Sequence, residues 1–91
     1  MLDWKTLRPI FQVEPEQADR LWSTLTPRER EVAEKMARGW TNHQIADQLK
    51  ISPKTLDIHR QKVKAKLEAN TAAGVATVFF VVQLARALAR Y

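Results

Sequence analysis

Apolar side chains recur along this chain at helical spacing, and no stretch alternates as a half-buried strand would. Ala18, Leu21, Trp22 and Leu25 stand at i, i+3, i+4 and i+7. Pro15 precedes them at a first helical position, with Glu14 and Glu16 beside the positive end of the helix dipole. Trp4, Leu7 and Phe11 hint at a shorter helix upstream. Thr26-Pro27-Arg28-Glu29 opens the next helix with an N-cap, a Pro at the first position and a capping-box Glu. Its apolar face is Val32, Ala33, Met36 and Ala37, and Gly39 ends it. Thr41-Asn42-His43-Gln44 opens another through a second S/T-x-x-Q box, with Ile45, Ala46 and Leu49 turned inward. After only Lys50-Ile51, Ser52-Pro53 opens a further helix.

Two short helices joined by so tight a turn form a helix-turn-helix, the unit that lays its second helix in the major groove of DNA. At about 100° per residue, Leu56, Val63 and Leu67 share one side of that second helix, flanked by His59 and Arg60. Lys54, Asp57, Ile58 and Gln61 fall roughly opposite, and folding gives no reason for an exposed Ile beside Asp and Gln. Five cations (Lys54, Arg60, Lys62, Lys64, Lys66) against one acid (Asp57) make the segment net positive. A duplex backbone is the partner such a surface fits best.

The last helix is expected from near Thr71 towards Arg90, and its apolar residues divide into two stripes. Val75, Val78, Phe79 and Val82 lie on one side, while Phe80, Leu84 and Leu88 lie on the other. An end helix needs one stripe to seat on its own core, so the second predicts an interface with another copy of the chain. The alternative is that the N-terminal helices cover it within the same chain. Gly74 and the β-branched residues weaken intrinsic helicity here, so packing must stabilise the element.

Ninety-one residues support one small domain without room for an enclosed catalytic cleft. The formal charge of +5 is uneven. Residues 1–25 hold three cations and four acids, residues 26–68 ten and six, and residues 69–91 two and none. The basic surface thus belongs to the helix-turn-helix and the tail. With no cysteine and two isolated histidines, no metal site or other cofactor is expected. No paired carboxylates, nucleophile–base pair or glycine-rich phosphate loop suggests catalysis, so an enzyme is not expected. Met1-Leu2-Asp3-Trp4 does not read as a secretion signal. The longest apolar run, Val75 to Val82 with Thr77 inside it, is short of the roughly 20 residues of a membrane span. A cytoplasmic protein without a membrane segment is the expectation.

Three stretches carry a family resemblance: Leu25-Thr26-Pro27-Arg28-Glu29-Arg30-Glu31-Val32, Gly39-Trp40-Thr41-Asn42-His43-Gln44-Ile45-Ala46, and Leu49-Lys50-Ile51-Ser52-Pro53-Lys54-Thr55-Leu56. Together they resemble the LuxR/FixJ/NarL-type DNA-binding domain. Asp57-Ile58-His59-Arg60-Gln61-Lys62-Val63, with Lys66-Leu67, looks most like the FixJ branch. The match runs over roughly residues 25–89. It implies an all-α, four-helix domain whose third helix reads DNA and whose fourth dimerises. Here that is residues 25–91, preceded by an N-terminal helical extension, residues 1–24. Only about 25 residues precede the helix-turn-helix, so the chain resembles the stand-alone (GerE-like) members that lack a receiver or ligand-sensing domain.

The resemblance also assigns roles. Asp57, Ile58 and Gln61 match base readers: Gln61 suits adenine, Ile58 a thymine methyl and Asp57 the amino group of cytosine. For Asp57 the alternative is an acid in its helix's first turn, favoured by the dipole. Thr41, Lys54, Thr55, Lys62 and Lys66 match positions that hold phosphates or cap helices. Arg60 joins the phosphate set, as does His43, where the family has Lys. His59 matches a histidine packed between helices. Lys50 occupies a turn position where the family often has Gly or Asn, at an expected cost of about 1 kcal/mol for a left-handed backbone. Phe80, Leu84 and Leu88 become the dimer stripe.

These readings converge on a bacterial transcription regulator that binds two-fold, double-stranded operators as a homodimer, with half-sites about 10 bp apart. RNA polymerase, or a regulatory protein at the N-terminal extension, is a possible further partner. The competing reading is a protein-interaction module that binds another regulator through the apolar stripe together with Trp4 and Trp22.

Overall fold

A computed structural model describes residues 3, 5, 6 and 13–90. Trp4, Leu7 and Phe11, which suggest a helix upstream, lie outside the described residues, while Lys5 and Thr6 between them are helical. From residue 13 to residue 90 five helices follow one another: α1 (Pro15–Ser23), α2 (Pro27–Ala37), α3 (Asn42–Leu49), α4 (Pro53–Lys66) and α5 (Ala72–Ala89), with no strand among the described residues. The fold is all-α, as the apolar spacing predicts.

Local chemistry sets the boundaries. Thr26 and Thr41 each accept from the amide three residues on, at 3.2 Å, while Glu29 and Gln44 reach back to the cap amides at 2.9 Å. Ser52 caps α4 through the Thr55 amide, and Thr71 caps α5 through the Gly74 amide. Helices α2, α3 and α4 all stop in the same manner, with a left-handed residue at Gly39, Lys50 and Glu68. The amide that follows each of these bonds back five residues: Trp40 to the Lys35 carbonyl, Ile51 to Ala46, and Ala69 to Lys64.

One core joins all five helices, since α5 packs on α1 and α2 while α4 packs on α2 and α3. Val32, Ala33 and Met36 of α2, Ile45 and Ala46 of α3, and Leu56, Val63 and Leu67 at α4 are buried together. Ala18, Trp22 and Leu25 belong to the same cluster, and the Trp22 and Phe79 rings lie 5.4 Å apart. The division expected between residues 24 and 25 therefore falls inside continuous packing. Trp22 is unavailable to the protein-binding surface suggested for it, because burying its ring in the core stabilises the fold more than exposing it would.

On α5, Val75, Val78, Phe79 and Val82 are buried as the wheel predicts, and Val81 joins them. Helix α1 runs along the Val82, Ala85 and Arg86 side, where Asp19 meets Arg86 at 3.3 Å. The second stripe stays open: Phe80 is 41% exposed, Leu84 and Leu88 are half-buried, and Phe80, Gln83, Leu84 and Ala87 line a shallow apolar groove. By length and composition alone, α5 could cross a membrane, with 18 residues at a mean hydropathy of 1.8. That exceeds the eight-residue run considered in the sequence. The buried face just described gives its apolar character a place in the core.

Candidate nucleic-acid interface

Helix α4 is seated by Leu56, Val63 and Leu67, so its other side faces outward. Lys54, Thr55, Asp57, Ile58, Gln61 and Lys62 are all exposed, and Ile58, an apolar side chain, is half accessible. The structure thus brings together Asp57, Ile58 and Gln61 with two cations, Lys54 and Lys62, that make no ion pair. Asp57 is the fifth residue of α4, beyond the first turn to which the dipole's influence is confined. Dipole stabilisation consequently gives little account of an acid at this position.

The remaining residues divide by what they touch. Thr41 is occupied in capping α3, and the Thr55 hydroxyl accepts from Ser52 at 3.0 Å. His43, in the first turn of α3, projects freely, with Nε2 3.6 Å from the Asp47 carboxylate one turn on. Arg60 turns inward instead: its guanidinium donates to Asn42 Oδ1 at the start of α3, and its Nε is buried. His59 is half-buried with Nδ1 enclosed, matching the packing role expected of it.

Lys66 departs furthest from expectation. Its Nζ donates to Glu29 Oε1 at 2.7 Å, and the Glu29 side chain is only 5% exposed. Burial pushes the Glu29 carboxyl up, but the Lys66 hydrogen bond and charge, with the Thr26 amide and hydroxyl, outweigh it and hold the carboxyl below its ordinary value. Lys66 therefore compensates a buried charge and ties the end of α4 to the start of α2. Glu29 and Lys66 are 37 positions apart, and no local spacing signals the pair. Glu29 is legible as a capping residue, but not as the ion-pair partner of α4.

The described surface thus has the parts of a DNA-binding helix-turn-helix: a capped positioning helix, a short turn, and a second helix presenting polar and apolar groups with free cations. The family of bacterial regulatory proteins described as luxR matches residues 23–79. Among curated proteins, the chain is 38% identical over 52 residues to the tetrathionate response regulatory protein TtrR of Salmonella typhimurium, covering 57% of this chain and 25% of that protein. It is 51% identical over 43 residues to the transcriptional regulatory protein UhpA of Escherichia coli, 47% of this chain and 22% of that one. Identity to the transcriptional regulatory protein FixJ of Bradyrhizobium diazoefficiens is 41% over 49 residues, 54% and 24% respectively. The chain spans about a quarter of the length of these relatives. No solved structure matches it. With well over half of its length matched, the chain belongs to the luxR family of bacterial regulatory proteins, DNA-binding regulators of transcription.

Proposed function

We propose that this chain binds double-stranded DNA sequence-specifically as a homodimer, with α4 in the major groove of each half-site. The observation that carries this reading is the outward face of α4. An Ile is left half exposed between an unpaired Asp and a Gln, in a helix whose apolar anchors are already satisfied on the opposite side. Gln61, Ile58 and Asp57 can address adenine, a thymine methyl and a cytosine amino group. Lys54, Lys62, His43 and the first turn of α3 face the phosphates, which supply salt-dependent affinity rather than sequence information.

The open Phe80–Leu84–Leu88 stripe supports the homodimer, since α1 packs on a different side of α5. A two-fold pair of chains would then require two-fold DNA sites. DNA as the partner also implies a cytoplasmic site of action. Contacts with RNA polymerase, or with a regulatory protein at residues 1–24, would leave α4 clear because α1 packs chiefly on α5. Catalysis has no role in this reading.

The test is Gln61→Ala, measured by binding titration against a bound duplex and its single-base variants. Discrimination at one position in each half-site should fall by roughly 1–3 kcal/mol while phosphate-driven affinity persists. Equal weakening on every duplex would contradict base reading by Gln61.

A further inference from the structure

Lys54, Ile58, Gln61 and Ala65 form one continuous stripe on α4, at i, i+4, i+7 and i+11, opposite the buried Leu56, Val63 and Leu67. All four are exposed. Ala65 is the last residue on the stripe and the smallest, so the outward surface ends in a methyl group rather than a long side chain. Lys62 and Lys64 stand to either side of it, on opposite flanks of the helix. Neither makes an ion pair, in contrast to Lys66, which is held by Glu29. On the Lys64 flank, a shallow hollow of about 460 Å³ is lined by Gln61, Lys64, Ala65, Glu68 and Asn70.

This pattern matches the cross-section of a groove. The major groove is about 12 Å wide and about 8.5 Å deep, with base edges on its floor and phosphates along both walls. At 1.5 Å per residue, α4 is roughly 21 Å long. A helix embedded along its whole length needs a cation towards each wall and a small, neutral group towards the floor.

We infer that α4 engages DNA through its last turn, with Ala65 as the floor-facing residue that permits close approach and Lys64 as a phosphate ligand on the wall opposite Lys62. The inference rests on the DNA-binding reading above and deepens it. It replaces Lys66 in the phosphate set with Lys64. Glu68, on the rim of the hollow, opposes a phosphate there and sets an upper limit on the strength of that contact.

The experiment uses the whole chain and a duplex recovered by selection with that chain. Binding is titrated across a salt series for the parent, Ala65→Leu and Lys64→Gln, with circular dichroism melts as the fold control. Ala65 is exposed, so Leu should leave the melt unchanged while lowering affinity roughly tenfold or more through lost approach. Lys64→Gln should reduce the slope of log affinity against log salt by about 0.9 per chain, the loss of one phosphate contact. If either variant binds like the parent, with the same slope, the inference is overturned. If the parent binds no duplex at any salt, the DNA-binding reading fails and takes this inference with it.

Discussion

At the scale of single residues, charge and backbone geometry are settled by opposing terms whose balance can be measured. Glu29 is buried, which disfavours its charged form, yet Lys66 and the start of α2 hold it ionised. Its folded pKa lies below the unfolded one, so the stability it contributes is fully present above the ordinary glutamate range and is lost as pH falls through the folded value. Thermal melts from about pH 6 to about pH 3 should therefore show a steeper acid decline in the parent than in Glu29→Gln. Parallel declines would contradict the role of this carboxylate. Lys50 and Glu68 adopt φ of 56° and 54°, a conformation that a Cβ penalises, whereas Gly39 reaches 84° without that cost. Lys50→Gly should raise stability by about 1 kcal/mol in urea denaturation. A variant no more stable than the parent would show that the turn is unstrained.

At the scale of elements, α1 is a structural member of the domain rather than an appendage. Trp22 is buried against Phe79, and Asp19 meets Arg86 of α5. Trp22→Ala should cost about 3–5 kcal/mol, as for other buried large aromatics, with the loss read from chemical denaturation. A change below about 1 kcal/mol would mean that α1 is only loosely attached. Gly74 is likewise a packing residue, because a Cβ there would stand 3.0 Å from that of Ala69 where α5 begins.

This scale also separates what the sequence makes legible from what it does not. Helix starts are readable because caps, Pro and capping boxes act within four residues, and each helix start described follows such a signal, that of α1 through Pro15 without a side-chain cap from Glu14. The face of α4 is readable because one helix needs one buried side. The burial of Val81 is not, since α5 is covered from two directions by α1 and α2 and a single-stripe wheel does not anticipate the second neighbour. The commitments of Arg60 to Asn42 and of Lys66 to Glu29 link distant parts of the chain. A count of cations along α4 treats all five alike, although only some remain free to meet a phosphate.

At the scale of the whole molecule, two surfaces remain open on one small core: the polar, basic face of α4 and the apolar groove of α5. The dimer account joins them, since pairing through α5 would present two copies of α4 to one duplex. Selection from a random duplex library at about 150 mM salt tests this directly, because specific binding must survive where weak phosphate contacts are screened. The parent chain should enrich an inverted repeat with half-sites about 10 bp apart, and Phe80→Glu should enrich only a single half-site, if anything. No enriched sequence from a folded parent chain, or an unchanged inverted repeat from Phe80→Glu, would contradict the account.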